Sequence, residues 1–176
     1  LPINLRALLL VPKKRNPKGI GLIISGLIQD YNRTNNIQYL NEARSLAEWL
    51  LTQRCDSSKW MYSCWGYHFD WQARSFYAPV GKPNIITTYY VARALYDLGK
   101  IVKEKNFTIV ALDSAKFMSL HLYNESGKSC FFRYIPEENT FVHNANLLGS
   151  AWCAFVGKEL NDTKMIEQSL KAARLS

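Results

Sequence analysis

Between Trp65 and Arg74 the chain reads Trp65-Gly66-Tyr67-His68-Phe69-Asp70-Trp71-Gln72-Ala73-Arg74. Four aromatic rings, a carboxylate, an imidazole and a guanidinium stand within these ten residues. Aromatic faces stack on the C–H faces of sugar rings, while Asp, His and Arg reach hydroxyls and anionic groups, so the mixture suits a concave ligand site. Asp70, between Phe69 and Trp71, is the candidate general acid or base, because an apolar setting would raise its pKa toward neutrality. An ion pair with Arg74, four residues on, or a capping role accounts for it equally well. His68 is a hydrogen-bonded loop residue or a second proton carrier. The same composition also suits a loop that buries its aromatics as a small core of its own.

A second cluster follows later: Phe131, Phe132, Arg133, Tyr134, Glu137 and Glu138, then Phe141-Val142-His143-Asn144-Ala145-Asn146. Asn84 and Asn144 fall at similar stations, each in the first turn of a helix, where Asn is a favoured cap. His143 stands beside Asn144 and is a candidate catalytic or ligand-binding residue. A glycosidase of the usual kind needs paired carboxylates, and no second acid is placed near Asp70. No metal ligand set and no cofactor motif is present.

These residues need elements to position them, and apolar periodicity names those elements. Ile20, Ile23, Ile24, Leu27, Ile28 and Tyr31 recur at helical spacing and predict a helix from Pro17, with a partner from about Ile37 to Gln53. Pro83 opens a second helix, apolar on most sides, whose partner spans Phe107 to Leu122. His143 opens a third, and its partner carries Met165, Ile166, Leu170 and Ala173. Short polar links make each pair an antiparallel hairpin. The predicted hairpins are 17–53, 83–122 and 143–175, within a single domain or fragment covering 1–176. Equivalent helix starts at Lys18, Pro83 and His143 lie 65 and then 60 residues apart, the period of a helical repeat. The expected fold is all-α: antiparallel hairpins forming part of an (α/α) toroid, with long irregular loops at one rim.

The turns within hairpins take about five residues on this reading, whereas the connections 54–82 and 123–142 are far longer. Long loops in a compact domain are usually functional. Both lead into inner helices, so they are expected to gather at one rim beside the inner N-termini, whose free N–H groups and partial positive charge suit a polar or anionic ligand.

Composition narrows the classes further. Hydrophobic residues make up 48% and aromatics 13% of 176 residues, which excludes a disordered chain. No apolar run is long enough to span a membrane. The net charge of +8 is scattered apart from Lys13-Lys14-Arg15 and Lys18, so no nucleic acid partner is expected; an anionic sugar or phosphate suits the charge. Cys55, Cys64, Cys130 and Cys153 show no C-x-x-C pair and are read as free thiols of a cytoplasmic protein. Sequons at Asn32, Asn106, Asn124 and Asn161 are read as chance matches in an Asn-rich chain. The chain starts at Leu1 rather than Met. Three hairpins are half of a six-hairpin ring, and the expectation is the later part of a larger protein, or a ring completed by another copy. Exposed helix flanks would favour that association.

The run from Trp65 to Arg74, followed by Pro83-Asn84-Ile85-Ile86-Thr87-Thr88, resembles a W-x-Y-x-F-D-W-Q-x-R … P-N-x-x-x-T pattern of bacterial proteins from surface-polysaccharide gene clusters. Val142-His143-Asn144-Ala145-Asn146-Leu147-Leu148 resembles a second signature of that group. His68 departs from the pattern, where Asn or Pro is expected. The group is similar to six-hairpin glycosidase-like and terpenoid-cyclase-like toroids. The resemblance implies an (α/α) barrel tied to polysaccharide metabolism and adds Thr87 to the ligand-binding candidates. On this reading a saccharide or polysaccharide precursor stacks on Trp65, Tyr67, Trp71 and Tyr134. Arg74 and Arg133 pair its anionic groups, Asn84, Asn144 and His143 bond its hydroxyls, and Asp70 handles protons. The alternative is a non-catalytic saccharide- or protein-binding helical scaffold.

Overall fold

The structure is a computed structural model that describes residues 5, 9–10, 13–127 and 129–176. Six long helices form three antiparallel pairs: α1 (Pro17–Thr34) with α2 (Ile37–Thr52), α4 (Ile85–Val102) with α5 (Lys105–Phe117), and α6 (His143–Leu160) with α7 (Thr163–Ala173). A one-turn helix, α3 (Ser57–Trp60), sits in the first long connection. The last turn of the α5 rod, Met118–Leu122, loosens into a π-helix.

One turn geometry serves all three pairs. Asn35, Lys103 and Asn161 close α1, α4 and α6 in the left-handed conformation, at φ of 54°, 55° and 55°. Each returns its N–H to a carbonyl of the preceding turn, so orphan acceptors at the helix end are satisfied locally. The next residue, Asn36, Glu104 or Asp162, already stands at the N-cap of the returning helix, and Asn36 and Asp162 accept a backbone N–H of its first turn. The links are therefore shorter than the five residues expected from polarity, because left-handed caps let helices run into the polar stretches.

The inner row is α1, α4 and α6, with α4 packed against both of the others. Its residues Ile85, Val91, Ala92, Ala94, Leu95 and Leu98 are fully buried, as expected of a helix apolar on most sides. Gly21 lets α1 approach closely, since a Cβ there would meet the Tyr90 carbonyl oxygen at 2.8 Å. At the flanks the row is open: Leu22 and Ile23 on α1 and Leu147 on α6 are about half exposed. Ile23 thus leaves the buried stripe that its spacing predicts, because α1 has an inner neighbour on one side only. Among the described residues no helix is long and apolar enough to cross a membrane.

The long connections are not irregular throughout. β1 (Trp71–Gln72) pairs with β2 (Tyr77–Ala78), and β3 (Tyr123–Ser126) pairs with β4 (Ser129–Phe132), both antiparallel. Asn146 anchors the second hairpin. Its carbonyl oxygen accepts the Phe132 N–H at 2.9 Å and its amide donates to Ala172 O at 2.8 Å, both buried. The first connection is anchored at Gly66, which bridges to Pro83. A side chain at Gly66 would collide with the Lys82 carbonyl oxygen and neighbouring backbone, which cannot swing away as a side chain can. Gly66→Ala is therefore expected to destabilise the fold by about 1–3 kcal/mol in urea unfolding; a variant as stable as the parent would show that this backbone contact is slack.

Candidate functional site

Both long connections are hydrogen-bonded to the start of α4. Asn84 caps it, its side-chain oxygen accepting the Thr87 N–H at 2.8 Å, while its own N–H donates to Trp65 O at 3.0 Å. The Ile85 N–H donates to Tyr134 O at 2.9 Å, and the Thr88 hydroxyl exchanges bonds with the Trp65 backbone. The first loop is thus tied through Trp65 and the second through Tyr134. This corrects the expectation that the α1 and α4 N-termini offer free N–H groups. At α1 the Asn16 side chain accepts from Lys18 and Gly19; at α4 the loops and Asn84 take them. Only α6, capped by Val142, lacks a side-chain cap bond among these three.

Several candidate residues turn out to build the rim. Trp65 is fully buried and its indole N–H donates to Leu50 O at 2.8 Å, so its ring has no face for a sugar. Asn84 and Thr87 are fully buried at the α4 start, out of reach of a ligand hydroxyl. Arg133 is spent on Asn124 at 2.6 Å and Asn139 at 3.0 Å. Asn144 is exposed but is the second residue of α6 rather than its cap, so the parallel with Asn84 fails.

Asp70 is also corrected. It is exposed, because Phe69 beside it is itself 40% exposed and builds no apolar wall. Its carboxylate accepts the Val80 N–H at 2.8 Å and a bond from the Tyr77 hydroxyl, and these donors hold its pKa below the ordinary value, not above it. Asp70 braces the β1–β2 hairpin, and no ion pair to Arg74 forms among the described residues. His68 is half-buried with its edge on Phe69; burial, then Lys14, lowers its pKa. It faces a smaller cavity of about 350 Å³ beside Pro17 and Gly81, its buried Nδ1 without a hydrogen-bond partner.

The aromatics of the two loops meet. The Tyr67 and Tyr134 hydroxyls are 2.7 Å apart, Tyr67 stacks on Phe69, and Trp71 packs against Tyr67, Phe76 and Tyr134. Burial, then the Tyr67 hydroxyl, pushes the Tyr134 phenol well above its usual range. The ion pair Lys82–Glu137 also crosses between the loops, but Glu137 is 80% exposed and such a pair contributes little. The part-buried tyrosine contact and the backbone bonds to α4 hold the loops together.

Beside this cluster lies a cavity of about 580 Å³ between the loops. Trp71, Phe76, Tyr134 and Phe141 supply apolar surface; Gln72, Arg74, Thr140 and His143 supply polar groups. Of the candidate residues, Trp71, Arg74, Tyr134 and His143 come together here, and Asp70 does not. Phe76, Gln72 and Thr140 escaped the sequence reading. The β1–β2 pairing places Gln72 opposite Tyr77 and turns Phe76 back toward Trp71, while Thr140 comes from the second connection and carries no local signal.

With this geometry in view, solved structures decide the architecture. The chain is similar to the glycoside hydrolase family 76 mannosidase Bt3792 of Bacteroides thetaiotaomicron VPI-5482, with a TM-score of 0.63 over 91% of this chain at 13% identity. It is also similar to the GH76 α-mannanase BT2949 of Bacteroides thetaiotaomicron, with a TM-score of 0.58 over 92% of this chain at 15% identity. The fold is that of an α/α toroid. The chain spans 43% and 44% of the length of these two proteins. No protein-family model and no curated protein sequence matches it.

Two outcomes follow from these placements. Trp65→Ala should cost about 3–5 kcal/mol of stability, the usual range for a buried Trp; a loss below 1 kcal/mol in urea unfolding would show that the ring is not a structural anchor. Asp70, with a depressed folded pKa, braces its loop above about pH 4 and releases it as pH falls through that pKa. Its carboxyl should titrate below 3.8 by ¹³C NMR, and a midpoint above 5 would restore an acid–base role.

Proposed function

We propose that the cavity between the two long loops is a saccharide-binding cleft of a carbohydrate-active or carbohydrate-binding α/α-toroid protein. The observation that carries this reading is its mixed lining. Trp71, packed against Phe76 and Tyr134, lines it together with Arg74 and His143, whose side chains carry N–H donors. Stacking on Trp71 would hold the sugar ring, and the two cationic or neutral donors would read hydroxyl, carboxylate or phosphate substituents. The likeness to a mannosidase and an α-mannanase supports a glycan ligand. So does the sequence resemblance to proteins of surface-polysaccharide clusters. The half-exposed apolar flanks of α1 and α6 suit association with further hairpins or a second copy.

A binding role is favoured over hydrolysis within this cavity because, among the described residues, no Asp or Glu lines it. Hydrolysis of a glycosidic bond ordinarily needs two carboxyl groups roughly 5–9.5 Å apart. The hydrolase neighbours keep catalysis as a second reading, with its acids supplied from outside this cleft.

Isothermal titration calorimetry with α-mannan oligosaccharides and with uronate- or phosphate-bearing ones tests the proposal, alongside a reducing-sugar turnover assay. Trp71→Ala should weaken binding about tenfold, which is about 1.4 kcal/mol. Arg74→Ala should weaken anionic ligands by a similar factor and neutral ones hardly at all. Affinity unchanged by Trp71→Ala would remove the cleft from the proposal, and turnover without cleft dependence would favour the second reading.

A further inference from the structure

Cys55 and Cys64 lie at the root of the first loop, far from the cleft in chemistry and role. Cys55 follows α2, and Cys64 immediately precedes the buried Trp65. Between them α3 and Met61, at φ 63°, reverse the chain so that the Cys55 N–H donates to Cys64 O at 2.9 Å. This backbone bond brings the two residues side by side, the closeness that a disulfide requires. Each thiol bears on the ionisation of the other. The Cys55 sulfur lies 3.3 Å from Gly81 O.

The two thiols are unequal. Cys64 is fully buried, whereas Cys55 is half-buried and lines three cavities that open around the loop root. The Cys64 thiol and the Gly66 N–H favour the charged form of Cys55 and draw its pKa down, while Cys64 is held protonated. An accessible sulfur that ionises more readily, next to a shielded one that does not, is the arrangement of an attacking thiol with its resolving partner. Cys153 sits apart on α6, its thiol 3.7 Å from Ala115 O, and Cys130 sits in β4.

We propose that Cys55 and Cys64 form a reversible dithiol–disulfide couple that staples the end of α2 to the base of the first loop. With a small-molecule disulfide as oxidant, the Cys55 thiolate attacks one of its sulfurs, giving a mixed disulfide and releasing one thiolate, which takes a proton from water. Cys64 then attacks the Cys55 sulfur, and its proton passes through water to the small thiolate that it displaces. The intramolecular bond forms and the second small thiol leaves. Two protein thiols are oxidised, and one disulfide is reduced to two thiols.

The test incubates the reduced chain with oxidised glutathione, blocks free thiols with iodoacetamide and maps the peptides by mass spectrometry. The expected product is a Cys55–Cys64 cross-link that dithiothreitol reverses, with Cys130 and Cys153 left unpaired, and a rise of roughly 5 °C in the unfolding midpoint. Cys64→Ser, checked for folding by circular dichroism, should instead trap glutathione on Cys55. The proposal is overturned if the parent chain keeps glutathione on Cys55 without cross-linking, if Cys55 pairs with another cysteine, or if both thiols stay reduced.

Discussion

The first turn of α4 has backbone donors that the helix itself cannot satisfy, and their partners decide the shape of the rim. Trp65 O takes the Asn84 N–H, Tyr134 O takes the Ile85 N–H, and the Asn84 side chain takes the Thr87 N–H. Two connections far apart in sequence are therefore fastened to one helix start. An N–H left unpaired in this buried place would cost about 1–3 kcal/mol, so the loops and the helix stabilise one another. A terminus that looks from sequence like a ready anion site is instead the joint that holds the loops.

Once fastened, the loops bring their aromatics together, and the result lies between the two alternatives that composition allowed. Tyr67, Phe69, Trp71, Phe76 and Tyr134 do form a small core of their own. They do not fill the space between the loops, and Trp71 and Phe76 remain on the wall of the cavity. Among the described residues that wall is aromatic and polar, with Arg74 as its cation and no carboxylate, and Asp70 of the first loop instead braces Val80 and Tyr77.

The open flanks follow from the same row of inner helices. α4 is covered on both sides and buries its apolar residues from Ile85 to Leu98 apart from the partly buried Tyr89 and Tyr90, while α1 and α6 each keep apolar residues half exposed. Burying the exposed half of each such side chain would contribute about 1 kcal/mol, which is a physical reason for further surface to close on them. The likeness to proteins more than twice as long as this chain belongs with that observation.

Helices were legible because their information is local. The stripe on α1, the apolar girth of α4 and the starts at Pro17 and His143 are all written within a few turns of chain, and periodicity reads them directly. The hairpin arrangement follows from short links. The composition of the Trp65–Arg74 run likewise marks a region of consequence without any structure. What it does not carry is direction. Trp65 and Trp71 are the same residue type six positions apart, yet one is sealed beneath the loop with its N–H on Leu50 and the other lines the cavity. Asp70 looked apolar in its neighbours along the chain and is wet in its neighbours in space. Which face a loop side chain presents is set by hydrogen bonds to partners tens of residues away, such as Thr88 and Tyr134, and no local spacing encodes those. Sequence alone determined a row of helical hairpins with unusual loops; the tertiary structure decided which loop residues became foundation and which became surface, because only folding brings the long-range donors and acceptors together.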